Sequence, residues 1–252
     1  IEIENISNSD DSKVMIKALH SKSDVIDVHH AGTAMRFLTA YFSIQQGRTV
    51  ILKGSSRMHE RPIGILVDAL NQLGAKITYL EKDGFPPLKI EGTIISKNKV
   101  TLNANISSQY ISALLLIGAK LEKGLEINLV GEITSIPYID MTVALLNSFG
   151  IATTFNENTI QVQHHLKISR QEITIESDWS SASYLYSIVA LSKRDTRISL
   201  KSFFTDSLQG DSVLAEIYKQ FGVETVYENK AITLIKTNSK LSKINLNLIK
   251  IY

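Results

Sequence analysis

Two short segments place arginine beside small residues where a loop should enter a helix. They are Ala31-Gly32-Thr33-Ala34-Met35-Arg36 and, beginning 21 residues after Arg36, Arg57-Met58-His59-Glu60-Arg61-Pro62-Ile63. A helix start offers unpaired N–H groups and the positive end of the dipole, so it attracts anions. A guanidinium adds a planar, permanently charged fork for phosphate or carboxylate. Gly32 has no Cβ and lets a ligand approach the backbone closely. The chemistry these residues suit is capture of a small substrate carrying several negative charges.

Each residue also has a plainer role. Arg36 lies in an apolar helix, where arginine is usually paired. Arg61 enters the next helix, expected over Pro62–Leu73 with Pro62 at its favoured first position, and would form a local salt bridge with Glu60. Arg57 stays in the loop and takes the ligand role. Ser107-Ser108-Gln109 opens a second apolar helix, at the place that Gly32-Thr33 holds in the first. Serine there can cap a helix. Two hydroxyls and a carboxamide can also bind phosphate and a polar ring. Ser180-Ser181-Ala182-Ser183 fills the same place in a third unit, lacks the glutamine, and reads as structural. Within Ser135-Ile136-Pro137-Tyr138-Ile139-Asp140, Tyr138 could line a substrate or simply pack. The adjacent pairs His29-His30 and His164-His165 have no carboxylate cluster and suggest no metal. The lysine-rich stretch from Lys230 to Lys250 reads as a solvated face.

The elements that hold these motifs repeat along the chain. Gly32–Gly92, Ser107–Gln163 and Ser180–Lys236 share one order of elements. A small-residue turn leads into an apolar helix, then a strand: Thr49–Leu52, Leu125–Leu129 or Arg197–Leu200. A polar loop leads to a second helix that stops at Leu73-Gly74, Phe149-Gly150 or Phe221-Gly222, and glycine there fits a left-handed cap. A two-strand ribbon closes each unit. Gly150 follows Gly74 by 76 residues, and Gly222 follows Gly150 by 72. No such unit can bury its apolar faces alone. Ile1–Leu19 reads as part of another unit, a strand followed by a helix capped in Asn8–Asp11. Leu241–Tyr252 reads as an unfinished segment.

Composition narrows the function. The chain has 252 residues, 44% hydrophobic and 21% charged, with a net charge of +2. That charge is too small to argue for nucleic acid or a membrane surface, so any positive potential is local. With no cysteine, disulfides and thiolate chemistry are excluded. The longest apolar run, Tyr110–Ala119, is about half of what a membrane span needs. Ile1–Asn5 alternates like a strand rather than a signal peptide, and a cytoplasmic location is expected.

Together, the motifs Ala31–Arg36, Arg57–Gly64, Ser107–Gln109, Ser135–Asp140 and Ser180–Tyr184 resemble those of the enolpyruvyl transferase family, from end to end of the chain. They are closest to members that act on shikimate 3-phosphate. The resemblance implies an α/β fold of repeated βαβαββ units forming inside-out, barrel-like domains, with helices inside and sheets outside. Residues 1–173 would hold most of one domain, and 174–252 the first unit of a second. The implied reaction moves the enolpyruvyl group of phosphoenolpyruvate to the 5-hydroxyl of shikimate 3-phosphate, with no metal or organic cofactor, in a monomer. Gly32, Arg57 and Gln109 would contact phosphoenolpyruvate. Ser107, Ser108, Gln109, Ser135 and Tyr138 would hold shikimate 3-phosphate. Arg36 would be structural.

The chain departs from the family pattern in three places. His30 stands where asparagine is usual. A Lys-Ser-x-Ser-x-Arg segment near the N-terminus is absent, as is a C-terminal half carrying the catalytic acids. No catalytic residue is therefore expected in this chain, and the polypeptide alone should not turn over substrate. Two rival readings are an enolpyruvyl transferase for UDP-N-acetylglucosamine, which usually relies on a cysteine, and a scaffold or metabolite-binding fragment without catalysis.

Overall fold

The computed structural model describes residues 1–133 and 135–237. Strand β1 (Glu2–Glu4) and helix α1 (Asp10–His20) come first. Ser9 caps α1 by accepting from the Ser12 N–H, with Asp10 and Asp11 in the first turn and Lys17 and His20 in the last. The acidic first turn and Lys17 in the last complement the helix dipole.

Three repeats follow. The first comprises β2 (Val25–Asp27), α2 (Gly32–Ser43), β3 (Thr49–Lys53), α3 (Gly64–Leu73), β4 (Lys76–Tyr79) and β5 (Leu88–Glu91). The second comprises β6 (Lys99–Asn103), α4 (Ser108–Gly118), β7 (Leu125–Val130), α5 (Ile136–Ser148), β8 (Thr153–Asn156) and β9 (Thr159–Val162). The third comprises β10 (Glu172–Thr174), α6 (Trp179–Leu191), β11 (Arg197–Lys201), α7 (Leu214–Lys219), β12 (Val223–Glu228) and β13 (Ala231–Lys236). The βαβαββ order expected from the sequence is thus present three times. Gly74, Gly150 and Gly222 all have positive φ at the ends of the second helices.

Contacts divide the chain into Ser7–Ser169 and a unit made of Ile1–Ile6 with Arg170 onward. Ile1–Ile6 thus group with residues far along the chain rather than with their neighbours in sequence. The reason is strand pairing: β1 runs parallel to β10, with Glu2 opposite Glu172, and Asn5 donates to the Ile175 carbonyl.

In Ser7–Ser169 the sheets run β2-β3-β5-β4 and β6-β7-β9-β8, the first pair of each parallel and the rest antiparallel. Alternate residues such as Val100 and Leu102 of β6, and Leu125, Ile127 and Leu129 of β7, point into the core. The other face is polar, as expected for a sheet with one solvated side. Nine of the eleven residues of α4 are buried and eight of the twelve of α2. Helices that are apolar nearly all round belong inside, so α2 and α4 form the interior with the sheets outside them. The sheets stay separate among the described residues and none closes on itself.

An asparagine clamp, not read from the sequence, recurs in the first two repeats. Asn71 donates to the Ile77 carbonyl and accepts from the Ile77 N–H, both at 3.1 Å. Asn147, 76 residues later, does the same with Thr153 at 2.9 Å. Each ties the end of a helix to the ribbon that follows it. The corresponding residue of the third repeat, 72 further on, is Lys219.

The other unit has a three-stranded sheet, β11-β13-β12, over a core of Trp179, Tyr186, Phe203, Val223, Ile232 and Leu234. Glu176 organises its loops, accepting from Trp179 Nε1, the Phe204 N–H, Ser207 Oγ and Gln209 Nε2. Most of the lysine-rich stretch, and Leu241–Tyr252, lie outside the described residues.

Candidate functional site

Side-chain capping varies from one helix start to the next. Asp178 caps α6 through the Ser180 and Ser181 N–H groups, and Ser9 caps α1. The starts of α2, α4 and α5 have no side-chain cap. Ser107 and Ser135 are the N-cap residues of α4 and α5, yet neither hydroxyl turns back onto its helix. Uncapped donors and a positive dipole end suit an external anion. Capping at α6 agrees with reading Ser180–Ser183 as structural.

Gly32 is buried at the first position of α2. A Cβ built there would lie 2.8 Å from Arg61 Cζ and 2.9 Å from Arg36 Nη1, with Arg61 Nη1 nearer still. Both guanidinium groups therefore crowd one point beside Gly32. Arg36 also lies 5.5 Å from the centre of the Tyr110 ring, a cation–π contact. The Tyr110 hydroxyl donates to the Pro62 carbonyl at 2.7 Å. That bond fixes α4 to the residue next to Arg61.

This geometry corrects the reading of Arg61 as a partner of Glu60. Among the described residues, no carboxylate lies within ion-pair distance of Arg36, Arg57 or Arg61. Arg61 lies over Gly32 instead. The expected helix over Pro62–Leu73 begins at Gly64, because the Ile63 and Gly64 N–H groups both donate to the Gly84 carbonyl. Pro62 remains in the loop, and its carbonyl is free to meet Tyr110.

Arg57, Met58, Arg61 and His30 line an open depression of about 530 Å³. His30 is set there by a local turn: His29 has φ 50° and its N–H donates to Asp27 Oδ1 at 2.8 Å. Gly54 lets the arginine loop close against this turn. A Cβ on Gly54 would come within 2.5 Å of the His29 carbonyl oxygen and 2.7 Å of Met58 Cγ. No local pattern marks Gly54 or Met58, and only their three-dimensional approach reveals their part.

Gln109 reaches the same region, its Nε2 donating to Thr33 Oγ1 at 3.3 Å. Ser108 is buried beside it and Ser107 is exposed. Ser135 and Tyr138 stand one helix further on. Ser135 is exposed with φ 59°, in the left-handed region. Tyr138 is about half exposed, and its carbonyl accepts from Thr142 Oγ1, which also bonds Ser112 of α4 at 2.7 Å. Gln109 thus bonds the residue next to Gly32, and Arg61, which lies over Gly32, shares its depression with Arg57. Ser135 and Tyr138 stand apart at the start of α5, where Thr142 links to α4.

Two like charges drawn toward one point repel each other. An anion between them would reverse that sign. Among the described residues no group of three or more His, Asp or Glu stands together, and no helix is long and apolar enough to cross a membrane.

Residues 2–251 match the family model for EPSP synthase (3-phosphoshikimate 1-carboxyvinyltransferase). A 3-phosphoshikimate 1-carboxyvinyltransferase of Bacteroides fragilis strain YCH46 is 46% identical over 243 residues, covering 96% of this chain and 59% of that protein. A protein of the same name from Shewanella pealeana is 36% identical over 230 residues, 90% of this chain and 53% of that one. Among solved structures, EPSP synthase from Acinetobacter baumannii shares the fold with a TM-score of 0.75 at 20% identity, over 93% of this chain and 59% of that one. The chain therefore spans between half and three fifths of the length of these relatives. With its three βαβαββ repeats and its arginine and serine motifs at the uncapped helix starts, the chain belongs to the EPSP synthase family.

Proposed function

We propose that this chain supplies one side of a site that transfers the enolpyruvyl group of phosphoenolpyruvate to the 5-hydroxyl of shikimate 3-phosphate. The hydroxyl oxygen adds to the vinyl carbon while the methylene carbon takes a proton. Phosphate then leaves as a proton is lost, giving the enolpyruvyl ether. One observation carries the reading: three arginines with no carboxylate partner among the described residues gather near uncapped helix starts, in a chain of this family. Gly32, Arg57 and Gln109 are assigned to phosphoenolpyruvate. Ser107, Ser108, Gln109, Ser135 and Tyr138 are assigned to shikimate 3-phosphate. Their part is to bind, orient and stabilise charge. The proton-transferring groups are assigned to the remainder of the whole protein, so the 252-residue chain binds without turnover.

In domain terms, residues 1–173 hold most of one domain and 174–252 the first unit of the next, a reading that the division of contacts after Ser169 supports. The protein acts in the cytoplasm as a monomer with no metal or organic cofactor. The names of its relatives and the absence of cysteine disfavour a UDP-N-acetylglucosamine transferase. Titration calorimetry with each substrate, alongside a phosphate-release assay with both, tests the proposal. Saturable binding without release is expected. Preference for the UDP-sugar, or no binding of either phosphorylated substrate, would overturn it.

A further inference from the structure

We propose that Arg61 is itself part of the anion seat, bracketing with Arg36 a single phosphoryl group above Gly32. This rests on the function just proposed and extends it to two arginines that otherwise read as structural. The two guanidinium groups converge on the space a Cβ would fill at Gly32, with Arg61 Cζ and Arg36 Nη1 at 2.8 and 2.9 Å from that point. Neither has a carboxylate within ion-pair distance among the described residues. Arg36 Nε is buried and has no hydrogen-bond partner. A buried, charged donor without an acceptor is costly unless a ligand oxygen or a rearranged neighbour meets it.

The bland alternative is that Arg61 simply fills the hole left by Gly32. An apolar or neutral side chain would fill it without placing a second positive charge beside Arg36. The neighbours also hold the pair in place. Tyr110 braces Arg36 from one side and bonds Pro62, adjacent to Arg61, so both guanidinium groups answer to one α4 residue. Arg61 faces the same depression as Arg57 and His30. A phosphoryl dianion fits this charge better than a carboxylate, since it offers three oxygens to converging forks. Both proposed substrates carry such a group.

The test uses the 252-residue chain with phosphoenolpyruvate, shikimate 3-phosphate and inorganic phosphate, each by calorimetry and by ligand-induced thermal shift. Arg61→Gln should weaken at least one phosphorylated substrate about tenfold or more, the usual effect of losing a charged hydrogen bond. Its ligand-free melting temperature should stay close to that of the parent. Arg61→Lys should fall between, because a point charge replaces a fork. The exposed Glu60→Gln should bind like the parent. Whichever substrate loses affinity identifies the phosphoryl group held. If Arg61→Gln does not fold, an Arg61→Lys variant that folds and binds as tightly as the parent would overturn the proposal. So would undiminished binding by Arg61→Gln while Arg57→Gln abolishes it, and the functional reading would then survive. If the parent binds none of the three ligands, both fall together.

Discussion

Gln109 Nε2 donates to Thr33 Oγ1 at 3.3 Å across 76 residues of sequence. That separation equals the spacing between Gly74 and Gly150, so the bond joins equivalent positions of successive repeats. Each residue is the second of its helix, and neither helix has a side-chain cap. The repeat thus brings two uncapped helix starts side by side, which doubles the local supply of anion-facing donors.

Breaking this link should be felt modestly in stability. Gln109→Ala and Thr33→Val should each cost about 1 kcal/mol, with coupling of about 0.5 kcal/mol or more in a double-mutant cycle measured by denaturant unfolding. Strictly additive effects would show that the bond contributes nothing.

Gly32→Ala should weaken phosphoenolpyruvate binding severalfold or more. The added methyl would meet Arg61 and Arg36 before it meets any ligand. The affinity from calorimetry checks this, and an unchanged value would remove Gly32 from the seat.

Gly150 has φ 76° and nothing within 4 Å of a built Cβ, so its cost on substitution is purely conformational. Gly150→Ala should destabilise by about 1 to 2 kcal/mol, the penalty for a left-handed L-residue. An unchanged unfolding midpoint would contradict the need for glycine there.

The asparagine clamps should matter more than their exposure suggests. Asn71→Ala or Asn147→Ala removes two hydrogen bonds to one strand residue and should cost about 1 to 3 kcal/mol. Chemical denaturation of each variant reads this directly.

Alkaline pH should destabilise the fold through Tyr186. Burial pushes its phenol up to about 12, partly offset by the hydrogen bond with Thr225. The folded state then holds a proton that the unfolded state releases near 10. Stability is full below pH 10 and falls as pH rises toward 12. Tyr186→Phe should flatten that fall, as measured by denaturant midpoints across the range. An equally steep loss in the variant would assign it to other groups.

The repeat was legible along the chain, because its signals are local. Glycine at 74, 150 and 222 needs only the backbone of its own helix end. The strands need only alternating side chains, and α2 and α4 declare themselves interior helices by being apolar nearly all round. Gly32, Arg57 and Gln109 were legible too, since small, basic and amide residues at helix starts are a local pattern. Three-dimensional packing decided the rest. Arg61 has an acidic neighbour in sequence but swings to Gly32, and Pro62 stays outside its helix because the Gly84 carbonyl takes the two amides that follow it. Strand β1 leaves the first repeats because its pairing edge is found at Glu172–Thr174, far along the chain. Side-chain direction and edge pairing depend on residues distant in sequence, and no local pattern encodes those distances.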